Sequence, residues 1–233
     1  MTDLKSRIQN LRSRIAGGLI VSCQAPASSP LSKPEIIAAF AQTAEMNGAA
    51  GVRIDSPENI RAVRNAVKIP ILGIYKIVSD ESEVYITPTF DAAQKVAAAG
   101  ADIIALDATF RERPDGAICA EIVSRIHTEL GLPVMADVAT FEEGLKAEQF
   151  GCDFIGTTLA GYTAETKHLG TTDFDLVENL SKRLSVPVIC EGRLKTPRDV
   201  SRAFECGAFA VVVGGAITGV DNLVKEFVAA AKR

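Results

Sequence analysis

The chain has 233 residues, 47% hydrophobic and 23% charged, with 18 Gly, 10 Pro and a formal net charge of −4. A chain this long buries roughly 70% of its unfolded surface, and its ordinary globular composition excludes disorder, collagen-like repeats and a cysteine-stapled mini-protein. The acidic balance, the absence of Trp and only 3 Tyr argue against a nucleic-acid footprint, while leaving room for a local cationic pocket that takes a small anion.

The five cysteines, Cys23, Cys119, Cys152, Cys190 and Cys206, are odd in number and widely spaced. They point to neither a disulfide framework nor a zinc site, and without a metal-spaced His pair no metal is expected. Segment 1–16 lacks the apolar stretch of a signal peptide, and no 18-residue apolar run occurs. The expectation is a reduced, cytoplasmic protein with no membrane partner.

In chain order, the first element is a helix within residues 1–16, with Leu4, Ile8, Leu11 and Ile15 on one face. That face is placed to cover the bottom of the fold or to dock on a partner. Apolar strand-length runs then follow at 17–24, 51–54, 69–76, 101–108, 132–139, 153–160, 186–192 and 208–216. Near-continuous apolar runs of this kind are expected of parallel strands covered on both faces. Helix-like stretches lie between them, such as 33–48, 89–100, 140–151 and 196–207. Three of these open on Thr89, Thr140 and Thr196 as N-caps, and all four end on Gly48, Gly100, Gly151 or Gly207.

The even-numbered strands each follow a helix-stopping Gly, and strands 3, 5 and 7 each follow Pro70, Pro133 or Pro187. A βαβα pair therefore repeats every 50–60 residues or so, and eight units of about 29 residues fit a (β/α)8 TIM barrel. An open doubly wound sheet is the runner-up, but no Gly-rich fingerprint follows the first strand. The predicted organisation is a single domain over 1–233, with an N-terminal helix at 1–16 and the barrel at 17–233.

Barrel chemistry sits at the C-terminal ends of the strands. In order, these ends carry Gln24, Arg53, Lys76, Asp107, Asp137, Thr157–Thr158, Glu191 and Gly214–Gly215. Lys76 closes an apolar run, where desolvation lowers a lysine pKa and suits it to act as base, acid or Schiff-base nucleophile. Glu191 is its expected counterpart across the mouth, as acid/base group or as a salt-bridge partner of Lys76 itself. Asp137 and Asp107 are expected to bind substrate hydroxyls or to hold Arg53 and Lys76. Arg53 is a fork for a carbonyl or enediolate oxygen, and Gln24 can both donate and accept. Cys23 and Cys190 are expected to face the helices, because adjacent strand residues alternate. Gly192 and Gly214–Gly215 lie where barrels bind phosphate through the loops after strands 7 and 8.

Several longer segments carry a resemblance: GLIVSCQA at 18–25, ILGIYK at 71–76, RERPDG at 111–116, GTTLAGYT at 156–163, CEGRLKTP at 190–197 and VVGGAIT at 212–218. From about Gly17 to Ile217 the chain resembles the bacterial N-acetylmannosamine-6-phosphate 2-epimerases of sialic acid catabolism. The resemblance implies interconversion of N-acetylmannosamine 6-phosphate and N-acetylglucosamine 6-phosphate without a cofactor. It implies Lys76 and Glu191 as acid/base residues, and Gln24, Arg53 and Asp137 as substrate contacts. Gly192, Gly214 and Gly215 match its phosphate loops. Relatives often carry Arg-Pro after GGAIT, whereas this chain has Gly219–Val220; Arg193 is the substitute cation the sequence offers. A Schiff-base aldolase acting through Lys76 and a non-catalytic sugar-phosphate-binding barrel are the alternatives. A homo-oligomer is compatible with either reading.

Overall fold

The computed structural model describes residues 4–231. A first helix, α1 (Leu4–Ile15), leads into β1 (Leu19–Cys23), α2 (Pro34–Met46), β2 (Gly51–Asp55), α3 (Pro57–Arg64) and β3 (Ile71–Ile74). The alternation continues through α4 (Phe90–Ala98), β4 (Ile103–Asp107), α5 (Cys119–Arg125), β5 (Val134–Asp137), α6 (Phe141–Gln149) and β6 (Phe154–Gly156). It ends with α7 (Phe174–Arg183), β7 (Val188–Glu191), α8 (Pro197–Glu205), β8 (Ala210–Val213), a short α9 (Gly215–Thr218) and α10 (Val220–Ala231). The strands pair in parallel, in sequence order, and β8 closes onto β1. The expected TIM barrel is therefore present.

The helix boundaries follow the local chemistry. Thr89, Thr140 and Thr196 each accept a backbone N–H as N-caps, and Thr140 and Thr196 form complete capping boxes with Glu143 and Asp199. Gly48, Gly100, Gly151 and Gly207 all adopt positive φ where their helices stop. The strands are shorter than the apolar runs. β3 stops at Ile74, so Lys76 stands just beyond it, in a bridge to Ile86.

Side-chain alternation divides the core into two layers. Outward residues such as Cys23, Ile54, Leu106 and Cys190 pack between the sheet and the helices. Inward residues, among them Ile20, Leu72, Met135, Phe154 and Ile189, fill the barrel, and Leu11 and Ile15 of α1 join them. The N-terminal helix therefore plugs the bottom of the barrel, as one of its two expected roles required. At the other end of the chain α10 has no buried residue and exposes Leu223, Val224, Phe227 and Val228. Among the described residues, no helix is long and apolar enough to cross a membrane.

Candidate active site

The inward parity that fills the barrel with apolar side chains also delivers polar ones to its mouth. Along β2 the positions facing the interior include Arg53 and Asp55, and β5 supplies Asp137 two residues after the inward Met135. Arg53 is only 1% exposed. Its Nη1 and Nη2 donate to Asp137 Oδ1 at 3.1 Å and Oδ2 at 2.6 Å, and Nη1 also lies 3.0 Å from Glu191 Oε2. One guanidinium thus carries two carboxylates, which an apolar interior would not tolerate unpaired.

Thr158 completes this cluster from the turn after β6. Its Oγ1 is 2.5 Å from Asp137 Oδ1 and 3.1 Å from Glu191 Oε2. Thr157 instead secures the Glu191 backbone, donating to its carbonyl at 2.9 Å and accepting its N–H at 3.1 Å. Gly156 leaves the room this needs, since a Cβ there would collide with the Met135 methyl and approach Asp137. Burial pushes the Glu191 carboxyl up to about 7, against the Arg53 charge and with the help of Asp137. The sequence allowed a salt bridge between Glu191 and Lys76; the structure gives Glu191 to Arg53 instead. Arg53 reaches it from β2, where the inward register meets β7 across the barrel.

Lys76 is solvent-accessible but surrounded by the walls of the mouth. The hydration lost to those walls holds its pKa below the usual lysine value. Asp55 opposes that shift most strongly, Arg53 reinforces it, and Glu191 and Asp137 oppose it. Lys76 Nζ donates to Gln24 Oε1, and Gln24 Nε2 in turn donates to Ser22 Oγ at 2.8 Å. The lysine backbone N–H donates to Asp55 Oδ1 at 2.9 Å. Asp55 lies one residue beyond the predicted second strand, 51–54, and its parity with Arg53 is the signal that identifies it.

Asp107 holds neither Arg53 nor Lys76, one of the roles expected of it. It is fully buried and paired with Arg111 Nη2 at 2.6 Å and with Thr109 Oγ1 at 2.7 Å. Arg113 is buried as well, donating to the carbonyls of Pro88 and Asp107. The RERPDG segment therefore braces the loops after β3 and β4.

Arg193 lies over the Tyr162 ring, 4.4 Å from its centroid, and donates to the Gly161 carbonyl at 2.6 Å. Its φ is 58° and follows Gly192 at 113°, two successive left-handed residues that swing the loop toward the turn after β6. Gly214 caps α9, and the Cβ position of Gly215 has nothing within 4 Å. Cys23 and Cys190 pack outward as expected, and burial raises both thiols to about 12.

A family model described as "Putative N-acetylmannosamine-6-phosphate epimerase" matches residues 37–233. A relative from Thermosynechococcus vestitus is 52% identical over 223 residues, covering 96% of this chain and 97% of its own. One from Synechococcus elongatus is 50% identical over 226 residues, with the same coverage. Both carry the name "Putative N-acetylmannosamine-6-phosphate 2-epimerase". The solved structure of the N-acetylmannosamine-6-phosphate 2-epimerase from Clostridium perfringens superposes with a TM-score of 0.90 at 41% identity. It covers 94% of this chain and 95% of that one.

The raised Glu191 carboxyl has a consequence for stability. In the unfolded chain a glutamate ionises near 4.5, whereas the folded chain keeps Glu191 protonated up to about 7. Folding therefore loses stability as pH rises through that window and is level above it. Glu191→Gln should remove this slope, so its stability relative to the wild type should grow between pH 4.5 and 7. Urea midpoints across pH measure it; a Glu191→Gln midpoint that stays constant or falls relative to the wild type as pH rises contradicts the assignment.

Proposed function

The chain belongs to the N-acetylmannosamine-6-phosphate epimerase family, and on that premise we propose that it inverts C2 of N-acetylmannosamine 6-phosphate to give N-acetylglucosamine 6-phosphate, with Lys76 and Glu191 as the catalytic pair. The observation that carries the reading is their placement. Lys76 follows β3 and Glu191 ends β7, four strands apart in a closed ring of eight, so they rise from opposite walls of one mouth. Inverting a carbon takes a proton from one face and returns one to the other, and each wall offers a group for one of these transfers.

In the open-chain sugar the C1 carbonyl acidifies the C2 hydrogen. Neutral Lys76 takes that proton and becomes an ammonium, whose charge stabilises the enediolate. Glu191, with its carboxyl raised, gives a proton to the opposite face of C2 and is left as carboxylate. The proton gained by Lys76 then returns to Glu191 through solvent, and the reverse reaction uses the same groups in the opposite order. Arg53 has its Nη1 and Nη2 committed to Asp137 and Glu191, so it acts by holding the carboxylates. Gln24 acts by orienting Lys76, with substrate hydroxyls meeting it from the mouth, and Asp137, fully buried, acts by fixing Arg53. Gly192, Gly214 and Gly215 take the phosphate on backbone amides, with Gly215 in the open first turn of α9. Arg193 shapes that site by tying the β7 loop to Gly161. The five free cysteines and the phosphorylated substrate suit the cytoplasm.

Lys76→Met should lower turnover by about 10²–10⁴-fold and stop exchange of the C2 hydrogen with D₂O, as read by proton NMR. Exchange at the wild-type rate moves the base away from Lys76. Borohydride with substrate should leave no adduct on Lys76, which a Schiff-base aldolase would.

The chain also acts as a homo-oligomer. The apolar stripe of α10, in which Phe227 is 76% exposed and Val224 56%, is covered by a second copy. The stripe repeats at helical spacing along one exposed face of α10, the kind of patch two copies can bury against each other. Phe227→Asp should shift the protein to a monomer in sedimentation velocity. An unchanged sedimentation coefficient would locate the contact elsewhere.

A further inference from the structure

Lys76 does not stand on a regular strand. β3 ends at Ile74, and its register with β4 runs only through Leu72–Ile103 and Gly73–Ile104. Beyond that point residues 85–87 come between the two strands, returning antiparallel to 75–77. The Thr87 N–H donates to the Tyr75 carbonyl at 2.8 Å, and the Ile77 N–H to the Tyr85 carbonyl at 2.9 Å. On the other side the Asp107 N–H donates to the Ile86 carbonyl at 3.0 Å. Both backbone neighbours of Lys76 are thus tied to the returning segment, and its own N–H is tied to Asp55.

Thr87 joins this insert to both strands. It is fully buried, and its Oγ1 accepts the Tyr75 N–H at 3.2 Å and donates to the Ala105 carbonyl at 2.7 Å. A hydroxyl has one hydrogen to give, and here it goes to β4. The φ of Thr87 is 44°, a left-handed conformation that is an outlier for a β-branched residue. Pro88 follows and disfavours the right-handed helical alternative. Arg113 donates to the Pro88 carbonyl at 2.8 Å, which fixes the exit of the segment. A strained residue persists only where its surroundings over-determine it, and such residues gather at functional sites. What this one controls is the path of the backbone that carries Lys76.

We propose that Thr87 is a positioning residue that, by linking the backbone at Tyr75 to Ala105 of β4, holds the Lys76 segment in place and aims its side chain into the mouth. The proposal rests on Lys76 moving the C2 proton and identifies what aims it. Thr87 is fully buried, so it meets no substrate and acts only through the main chain. Without its hydroxyl the Tyr75 N–H and the Ala105 carbonyl lose this buried partner, and the segment shifts to satisfy them elsewhere.

Thr87→Val keeps the β-branched shape and removes both side-chain bonds. Lys76 is faced by Arg53 and Asp55 from β2, Asp137 from β5 and Glu191 from β7, with Gln24 beyond β1 on its Nζ. All of these remain in the variant, so the titration midpoint of Lys76 reports its position. Burial is the chief cause that lowers it, so a segment released toward solvent should raise the midpoint toward the usual lysine value. NMR of lysine-labelled enzyme without substrate follows it, with Lys76→Met identifying the signal. Thr87→Ser, which keeps the hydroxyl, should restore the wild-type midpoint. In the kinetic arm Thr87→Val should lower kcat about tenfold to a hundredfold with little change in KM, and Thr87→Ser should recover it. If valine prevents folding, Thr87→Gly removes the same hydroxyl and takes the left-handed backbone freely. A Lys76 midpoint that falls or stays in place in the folded variant overturns the proposal. A midpoint that rises while kcat holds at the wild-type value supports the positioning role and counts instead against Lys76 as the base.

Discussion

A single guanidinium inside a barrel that is otherwise apolar sets the terms for the whole mouth. Arg53 is 1% exposed and tied to Asp137 by two contacts and to Glu191 by one. Removing it would leave two carboxylates in a poorly hydrated interior, a change that costs about 3–5 kcal/mol when a buried pair is broken. With it in place, the cluster still carries one carboxylate more than it has cations. Burial, with the help of Asp137, raises Glu191 against the Arg53 charge to about 7, where it can hold and release a proton near neutrality. The structural role of the cluster and its chemistry are the same fact.

Lys76, the proposed base, is kept apart from this cluster by the topology. Lys76 belongs to a second group formed by Gln24, Ser22 and Asp55 at the adjoining ends of β1, β2 and β3. Glu191 is fixed by threonines from the turn after β6. Strand order puts the two groups on opposite walls, and each is held by neighbours along its own side of the ring. Beneath both, inward apolar residues and the plug from α1 close the barrel to water. The floor of the site is therefore rigid, and its polar groups cannot relax into the interior.

Much of this was legible in the sequence because it depends on local rules. Helix caps at Thr89, Thr140 and Thr196 and stops at the four glycines require only nearby residues. Inward parity follows from a period of two, and it places Arg53, Lys76, Asp137 and Glu191 at one mouth. What was not legible depends on partners far apart in the chain. Asp107 meets Arg111 because the RERPDG segment folds back over β4, and nothing in the spacing of Asp107 and Asp137 separates their roles. Arg193 turns toward Gly161 because two successive residues adopt positive φ, a choice that no side-chain pattern announces. The exposed face of α10 was hidden for a different reason: its apolar spacing is that of a helix packed on a barrel, and only the structure shows it unpacked.

The central claim is that base and acid act from opposite walls, and isotope partitioning during the first turnovers tests it most directly. N-acetylmannosamine 6-phosphate is converted in D₂O to low conversion, and deuterium at C2 is measured separately in product and in recovered substrate. With Lys76 abstracting and a solvent-equilibrated Glu191 delivering, the product should carry deuterium while the recovered substrate stays protiated. Equal early labelling of substrate and product, or a product that retains the substrate's own hydrogen, would contradict the account and assign both proton transfers to one group.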